Sequence, residues 1–182
     1  MKKQVLYGVA NYEELVRDNG YSVDKTPYIE KLERIRNPVF LRPKRFGKSL
    51  FCRMLECYYD IRQKDEFETL FGHTHIGRHP TRLRNSFFVL HLDFSTIDPA
   101  GTLDEIKKDF NTTCNLSMEA ATYLYRGWFQ EEAVISEETA SSNLKRIFSI
   151  IRKRQLPALY VIIDEYDNFA NQLIVRNKDA VY

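Results

Sequence analysis

Residues Phe40 to Phe51 read FLRPKRFGKSLF. Gly47-Lys48-Ser49 closes the phosphate-loop signature G-x-x-x-x-G-K-[ST]. The opening glycine of that signature belongs at position 42, where this chain has Arg42 and then Pro43. The reading therefore rests on the flanks. Val39-Phe40-Leu41 is a short apolar run, expected as a strand. Leu50, Phe51, Met54, Leu55 and Tyr58 then recur at helical spacing, with Arg53 and Glu56 off their face. Strand, loop, helix is the order the motif requires.

Each residue type in the loop has a physical task. Glycine permits positive φ and a close approach of backbone to phosphate. Backbone N–H groups at a helix start point into an anion-sized concavity. Lys48 is placed to reach β and γ phosphates, and the Ser49 hydroxyl to bind Mg²⁺. Proline fixes φ near −65°, so Arg42-Pro43 stiffens the start of the loop. The phosphate-holding part is expected in Lys44, Arg45, Phe46, Gly47, Lys48 and Ser49, with Leu50 beginning the helix. Arg42, Lys44, Arg45 and Lys48 put four positive charges in seven residues. Like charges ~6 Å apart repel by roughly 2 to 3 kcal/mol per pair at an effective dielectric near 20. A polyphosphate would relieve that repulsion. The competing reading is a plain basic helix start, which the helix dipole disfavours.

The second half of the argument is ALYVIIDEYD, Ala158 to Asp167. Its apolar run ending in Asp164-Glu165 has the Walker B form. An Asp at the carboxyl end of a strand helps to hold Mg²⁺ through its water shell. The following Glu can activate water as a general base. Ligands bind at that edge of open α/β sheets. The competing reading is a solvated strand end.

Around these motifs, strands and helices alternate, which implies an α/β domain with a largely parallel sheet. Tyr12, Leu15 and Val16 predict a helix stopped at Asn19-Gly20. A second helix is predicted with Asp24 as N-cap and Pro27 in its first turn. Ile29, Leu32 and Ile35 share one face, and Asn37-Pro38 ends it. Asp65 to Asn85 reads as loop with a short helix at Glu66 to Phe71; His73, His75 and His79 fit no zinc spacing and read as exposed. Phe87 to Phe94 reads as a buried strand, with His91 and Asp93 as satisfied polar groups rather than catalysts. Thr102-x-x-Glu105 is a capping box opening a helix with Leu103, Ile106 and Phe110. Further helices are expected over Ser117 to Phe129, with Ala120, Leu124 and Trp128 on one face, and from about Ser142. The latter would bury Leu144, Ile147, Phe148 and Ile151, end on Arg152-Lys153-Arg154 and stop at Pro157. A last helix is expected over about Asn168 to Arg176.

With 182 residues, 43% hydrophobic and 29% charged, the chain can bury a sizeable core, and disorder is excluded as the main state. The net charge of +2 gives no general argument for nucleic acid. No apolar run has signal-peptide or membrane-span length, so a cytoplasmic setting without membrane association is expected. Cys52, Cys57 and Cys114 form no C-x-x-C pair and read as small buried hydrophobes. Lys145-Arg146 and Arg152 to Arg154 read as a solvated face.

The chain resembles the AAA-ATPase-like family of bacterial proteins. Arg42-Pro43-Lys44-Arg45-Phe46-Gly47-Lys48-Ser49-Leu50 is similar to that family's R-P-R-R-F-G-K-S-L loop, with Lys44 in place of Arg. Tyr21-Ser22-Val23-Asp24-Lys25-Thr26 resembles its Y-x-V-D-K-T segment, and Val161 to Asn168 its Walker B strand. The resemblance spans essentially the whole chain. It implies a P-loop NTPase fold, a three-layer α/β/α sandwich with 1–38 as a helical segment and 39–182 as a partial nucleotide-binding core. ATP and Mg²⁺ are the implied cofactors, Ser49 and Asp164 the metal-organising residues and Glu165 the catalytic one. Tyr21 to Thr26 would approach the adenine or seal the edge of the site.

The resemblance also implies a larger parent, commonly ending in a PD-(D/E)XK nuclease-like domain. The sheet would then lack the strand that follows Walker B in related folds, and the 182 residues alone would bind nucleotide weakly and turn it over poorly. Three functions stay open at this point. One is an ATPase in the complete protein. Another is a nucleotide-binding switch with little turnover that controls an attached effector. The third is a nucleic-acid-binding module using Arg42, Lys44, Arg45 and Lys48.

Overall fold

The computed structural model describes residues 3–6, 8–41, 46–98, 101–130, 135, 138–166 and 170. Arg42, Pro43, Lys44 and Arg45 lie outside the described residues, as does the expected last helix apart from Ala170. The chain divides into two compact units, Met1–Phe87 and Phe88–Tyr182.

The first unit is helical. Helix α1 (Tyr12–Arg17) starts at Asn11, whose side chain accepts from the N–H groups of Glu13 and Glu14. The expected stop is realised by Asn19, at φ 53°. Helix α2 is Pro27–Leu32, with Pro27 at its first position. Its N-cap is Thr26 rather than Asp24. Asp24 instead accepts from the N–H and hydroxyl of Thr26, at 2.9 and 2.7 Å. Ile29 is fully buried, but Ile35 lies beyond the helix and is exposed. The helix is one turn shorter than the apolar spacing implied, and only a helical Ile35 would share the face of Ile29.

Helix α3 (Lys48–Tyr59) buries Phe51, Met54, Leu55, Cys57, Tyr58 and Tyr59. Arg53 pairs with Glu56 on its outer face at 2.8 Å. Helix α4 (Phe67–Phe71) adds Phe67, Leu70 and Phe71 to an aromatic core. Phe71 stacks on Tyr12 and meets Tyr58 edge-on. The Tyr12 hydroxyl donates to Leu70 C=O at 3.0 Å. Burial raises the Tyr12 phenol above its ordinary pKa and pushes the Cys57 thiol up to about 12. A protonated thiol in that setting packs as a small hydrophobe.

Two further expectations fail in this unit. Val39-Phe40-Leu41 is not a strand. Val39 and Leu41 are exposed, while Phe40 stacks on Phe51. A strand exists only with a partner for its backbone groups, and these residues have no ladder partner among the described ones. The histidine-bearing loop is also not a loop. His75–Arg78 forms a short helix, α5, capped by the Thr74 side chain, and Ile76 is fully buried. A single apolar residue flanked by polar ones gives no periodicity, so the anchor was invisible to spacing.

The second unit carries a parallel pair, β1 (Phe88–Asp93) and β2 (Leu159–Asp164), in the register Phe88↔Leu159 to Asp93↔Asp164. Phe88, Val89, Leu90 and Leu92 are buried, as the near-continuous apolar run implied. Parallel neighbours need a long crossover. Here it includes α6 (Leu103–Leu124), α7 (Arg126–Phe129) and α8 (Ala140–Arg154). The mixed helix and strand content with a small parallel sheet agrees with an α/β class.

Helix α6 opens on the expected capping box of Thr102 and Glu105. It then runs 22 residues without the break expected before Ser117. Its buried residues are Cys114 and Met118, continued by Tyr125 and Phe129. Ala120 and Leu124 lie on the exposed side, and Trp128 is only partly covered. Leu103 is likewise exposed. The Tyr125 hydroxyl accepts the Val89 N–H at 2.8 Å and covers part of β1's outer edge.

Helix α8 buries Ala140, Asn143, Ile147 and Ile150; Phe148 faces out. The rotation follows from asparagines. Asn143 Nδ2 donates to Asn115 Oδ1 at 2.9 Å, and Asn111 Oδ1 accepts the Ala140 N–H at 2.7 Å. These bonds turn a polar residue inward, which an apolar count cannot foresee. The helix ends at Gln155, in the left-handed region at φ 53°, before Pro157 is reached.

Among the described residues, no helix is long and apolar enough to cross a membrane.

Candidate functional site

Of the loop residues named from the sequence, Phe46, Gly47, Lys48, Ser49 and Leu50 are described; Lys44 and Arg45 are not. Gly47 is the N-cap of α3 at φ 75°, ψ 38°. That left-handed conformation costs any L-residue roughly 1 to 2 kcal/mol, which explains the glycine. Lys48, Ser49 and Leu50 are consecutive in the first turn of α3. Gly47 offers no side-chain cap, and no acidic residue stands in that turn. The first helical bond runs from Phe51 N–H to Gly47 C=O at 3.1 Å. This leaves a helix start whose dipole favours an anion. Phe46 itself is exposed.

Lys25, which the motif count did not mark, reaches the same turn. Its Nζ donates to the Phe46 carbonyl at 2.7 Å. A Cβ on Gly47 would lie 3.2 Å from that ammonium. The residues on either side of Lys25 face elsewhere. Asp24 Oδ2 accepts the His75 N–H at 2.8 Å, and Thr26 Oγ1 accepts the Ile76 N–H at 3.1 Å. Both amides are at the start of α5, where backbone donors lack helical acceptors. The Asp24 carboxyl is shifted below its ordinary value: burial pushes it up, and its hydrogen bonds from Thr26 and His75 N–H outweigh that. Thr26 is fully buried, while Tyr21 and Val23 are exposed. The D-K-T block thus uses its outer members to clamp α5 and its middle member to hold the loop. A lysine just ahead of a short helix, where the dipole opposes it, was the signal available in the sequence.

In the second unit, Asp164 ends β2 and is buried. Its Oδ1 accepts the Glu165 N–H at 2.9 Å. Among the described residues no cation pairs with it. Glu165 has φ 57°, an uncommon conformation for a non-glycine residue. The backbone turns sharply there, directly after the strand. Asp93, in register with Asp164, is exposed and accepts the Ser95 N–H at 2.9 Å, capping a 3-10 turn. It serves as a strand-end polar group, as expected.

A concavity lined by Glu30, Glu33, Arg34, His79, Pro80 and Thr81 contains none of these residues. Among the described residues, no group of three or more His, Cys, Asp or Glu side chains is arranged to hold a metal ion.

A family model described as "Predicted AAA-ATPase" matches residues 6–181. No curated protein and no solved structure matches the chain.

Proposed function

Since the chain belongs to the Predicted AAA-ATPase family, we propose that it is an ATP-binding P-loop NTPase domain of the three-layer α/β/α class, hydrolysing ATP with Mg²⁺ in the complete protein. Membership at this level suggests a nucleotide-binding, ATPase-type function. The observation that carries the finer reading is Gly47 in the left-handed turn, with Lys48 and Ser49 in the first turn of a 12-residue helix. A positive-φ glycine directly ahead of a helix start is one part of a phosphate cradle and supports this reading.

In this reading Lys48 contacts the β and γ phosphates, and backbone amides at the start of α3 hold the remaining phosphate oxygens. Ser49 and Asp164 would hold Mg²⁺. A hydroxyl and a carboxylate are hard oxygen donors, and Mg²⁺ takes few protein ligands beside water and phosphate. Asp164, buried without a cation partner among the described residues, fits that task. When bound, Mg²⁺ would neutralise charge on the phosphates. Glu165 would orient and deprotonate water; its strained backbone fits a residue aimed for function rather than stability.

The test is Mg²⁺-dependent ATP binding and hydrolysis by the full-length protein. Lys48→Ala removes a charge-assisted contact of about 1.5 to 3 kcal/mol, so affinity should fall by roughly ten- to a hundredfold. Glu165→Gln should keep binding and lose turnover. Unchanged ATP affinity in Lys48→Ala would refute the loop assignment.

A further inference from the structure

We propose that Lys25 is a second lysine of the phosphate site, supplied from outside the loop. It fixes the loop through the Phe46 carbonyl and presents its charge to the polyphosphate. This inference rests on the nucleotide-binding reading above.

Three observations support it. The first is position. The Lys25 ammonium is bonded to Phe46 C=O at 2.7 Å and packs against Gly47, the residue that shapes the turn. It therefore lies at the start of α3, where the amides and dipole favour an anion. The second is charge. Among the described residues no carboxylate pairs with Lys25, and its one hydrogen bond uses one of three ammonium donors. A cation held beside the positive end of a helix is opposed by the helix dipole, and an anion bound there offsets that. A neutral donor would fasten the carbonyl without that cost.

The third observation is fixation. Asp24 and Thr26, on either side, are hydrogen-bonded to the first amides of α5. Thr26 is fully buried. The backbone carrying Lys25 is thereby held, and its side chain starts from a set point. Preorganisation of this kind reduces the ordering cost of binding. The ligand class is a nucleoside di- or triphosphate, because the loop lysine of this motif reaches the β and γ phosphates and Lys25 adds its charge at the same helix start.

The experiment measures dissociation constants of the full-length protein for ATP, ADP and AMP across a salt series. Wild type, Lys25→Met, Lys25→Arg and Lys48→Ala are compared, with thermal melts to check folding. Lys25→Met keeps the stem and removes donor and charge. It should weaken ATP and ADP at least tenfold, change AMP by less than threefold, and flatten the salt dependence of ATP binding. Lys25→Arg should keep ATP affinity within about threefold and retain the salt dependence.

A Lys25→Met protein with wild-type ATP affinity overturns the inference. So does one that weakens all three nucleotides equally with an unaltered salt dependence, since that marks a purely structural fastening. If Lys25→Met does not fold, Lys25→Arg decides: a tenfold loss of ATP affinity in a folded protein counts against the proposal. Failure of the underlying reading is separate, because Lys48→Ala would then leave ATP binding unchanged.

Discussion

Replacing Gly47 by alanine probes the loop with a control built into the same chain. Gly47 has φ 75° and Gly8 has φ 77°, so alanine at either site meets nearly the same backbone strain. That strain is about 1 to 2 kcal/mol. The surroundings differ. A Cβ at Gly8 meets nothing within 4 Å, whereas at Gly47 it would stand 3.2 Å from Lys25 Nζ. The lysine end can shift by a few tenths of an ångström, at the expense of its bond to Phe46 C=O. A hydrogen bond of that kind contributes about 1 kcal/mol net. Gly47→Ala should therefore destabilise by about 2 to 3 kcal/mol, and Gly8→Ala by about 1 to 2 kcal/mol.

Urea unfolding reads both, provided the slope with denaturant is unchanged. In melts, each kcal/mol lowers the midpoint by roughly 2 to 4 °C for a chain of this size. The Lys25→Ala background isolates the contact. There Gly47→Ala should cost only the strain, giving a coupling of about 1 kcal/mol. Equal costs at Gly8 and Gly47, together with additive Lys25 and Gly47 effects, would refute the claim that Lys25 is seated against the loop.

Other substitutions test other parts. Ile76→Ala should cost about 2 to 5 kcal/mol in unfolding free energy, as for a fully buried branched side chain; a loss under 0.5 kcal/mol would return His73 to His79 to the status of an exposed loop. Glu165→Gly relieves a positive φ and should raise stability by about 1 kcal/mol while ending hydrolysis; a lowered melting temperature contradicts the strain argument. Asp24 has a depressed folded pKa, so its contribution to stability is present above the ordinary carboxyl value near ~4 and is lost as pH falls through the lower folded value. Acid titration of Asp24→Asn should show a shallower stability loss below about pH 4 than wild type; identical acid limbs would mean that the Thr26 and His75 bonds do not favour the ionised form.

The parts of the fold legible in sequence were those carried by strong local chemistry. The capping box at Thr102 and Glu105, Pro27 at a helix start, and the two apolar runs that became β1 and β2 all stand where their residues indicated. The errors share a cause: position was decided by groups with no hydrophobic signature. Asn111, Asn115 and Asn143 rotate α8 relative to its apolar stripe. Thr74, Asp24 and Thr26 supply the caps that make α5 a helix. Val39 and Leu41 looked like a strand but had no partner to make them one.

At the candidate site, glycine and lysine spacing located the turn at Gly47. It did not locate Lys25, because a contact across 21 residues leaves no periodic trace.

The Asp24-Lys25-Thr26 triplet carries one more implication. Its flanking members hold the amides of His75 and Ile76, and its centre holds the Phe46 carbonyl. Three residues therefore tie two segments that sequence places almost 30 positions apart. Displacement of the Phe46 carbonyl should strain the short segment that also holds these two amide protons. Those two protons become a remote gauge: their solvent exchange reports the state of the loop with no label placed near it.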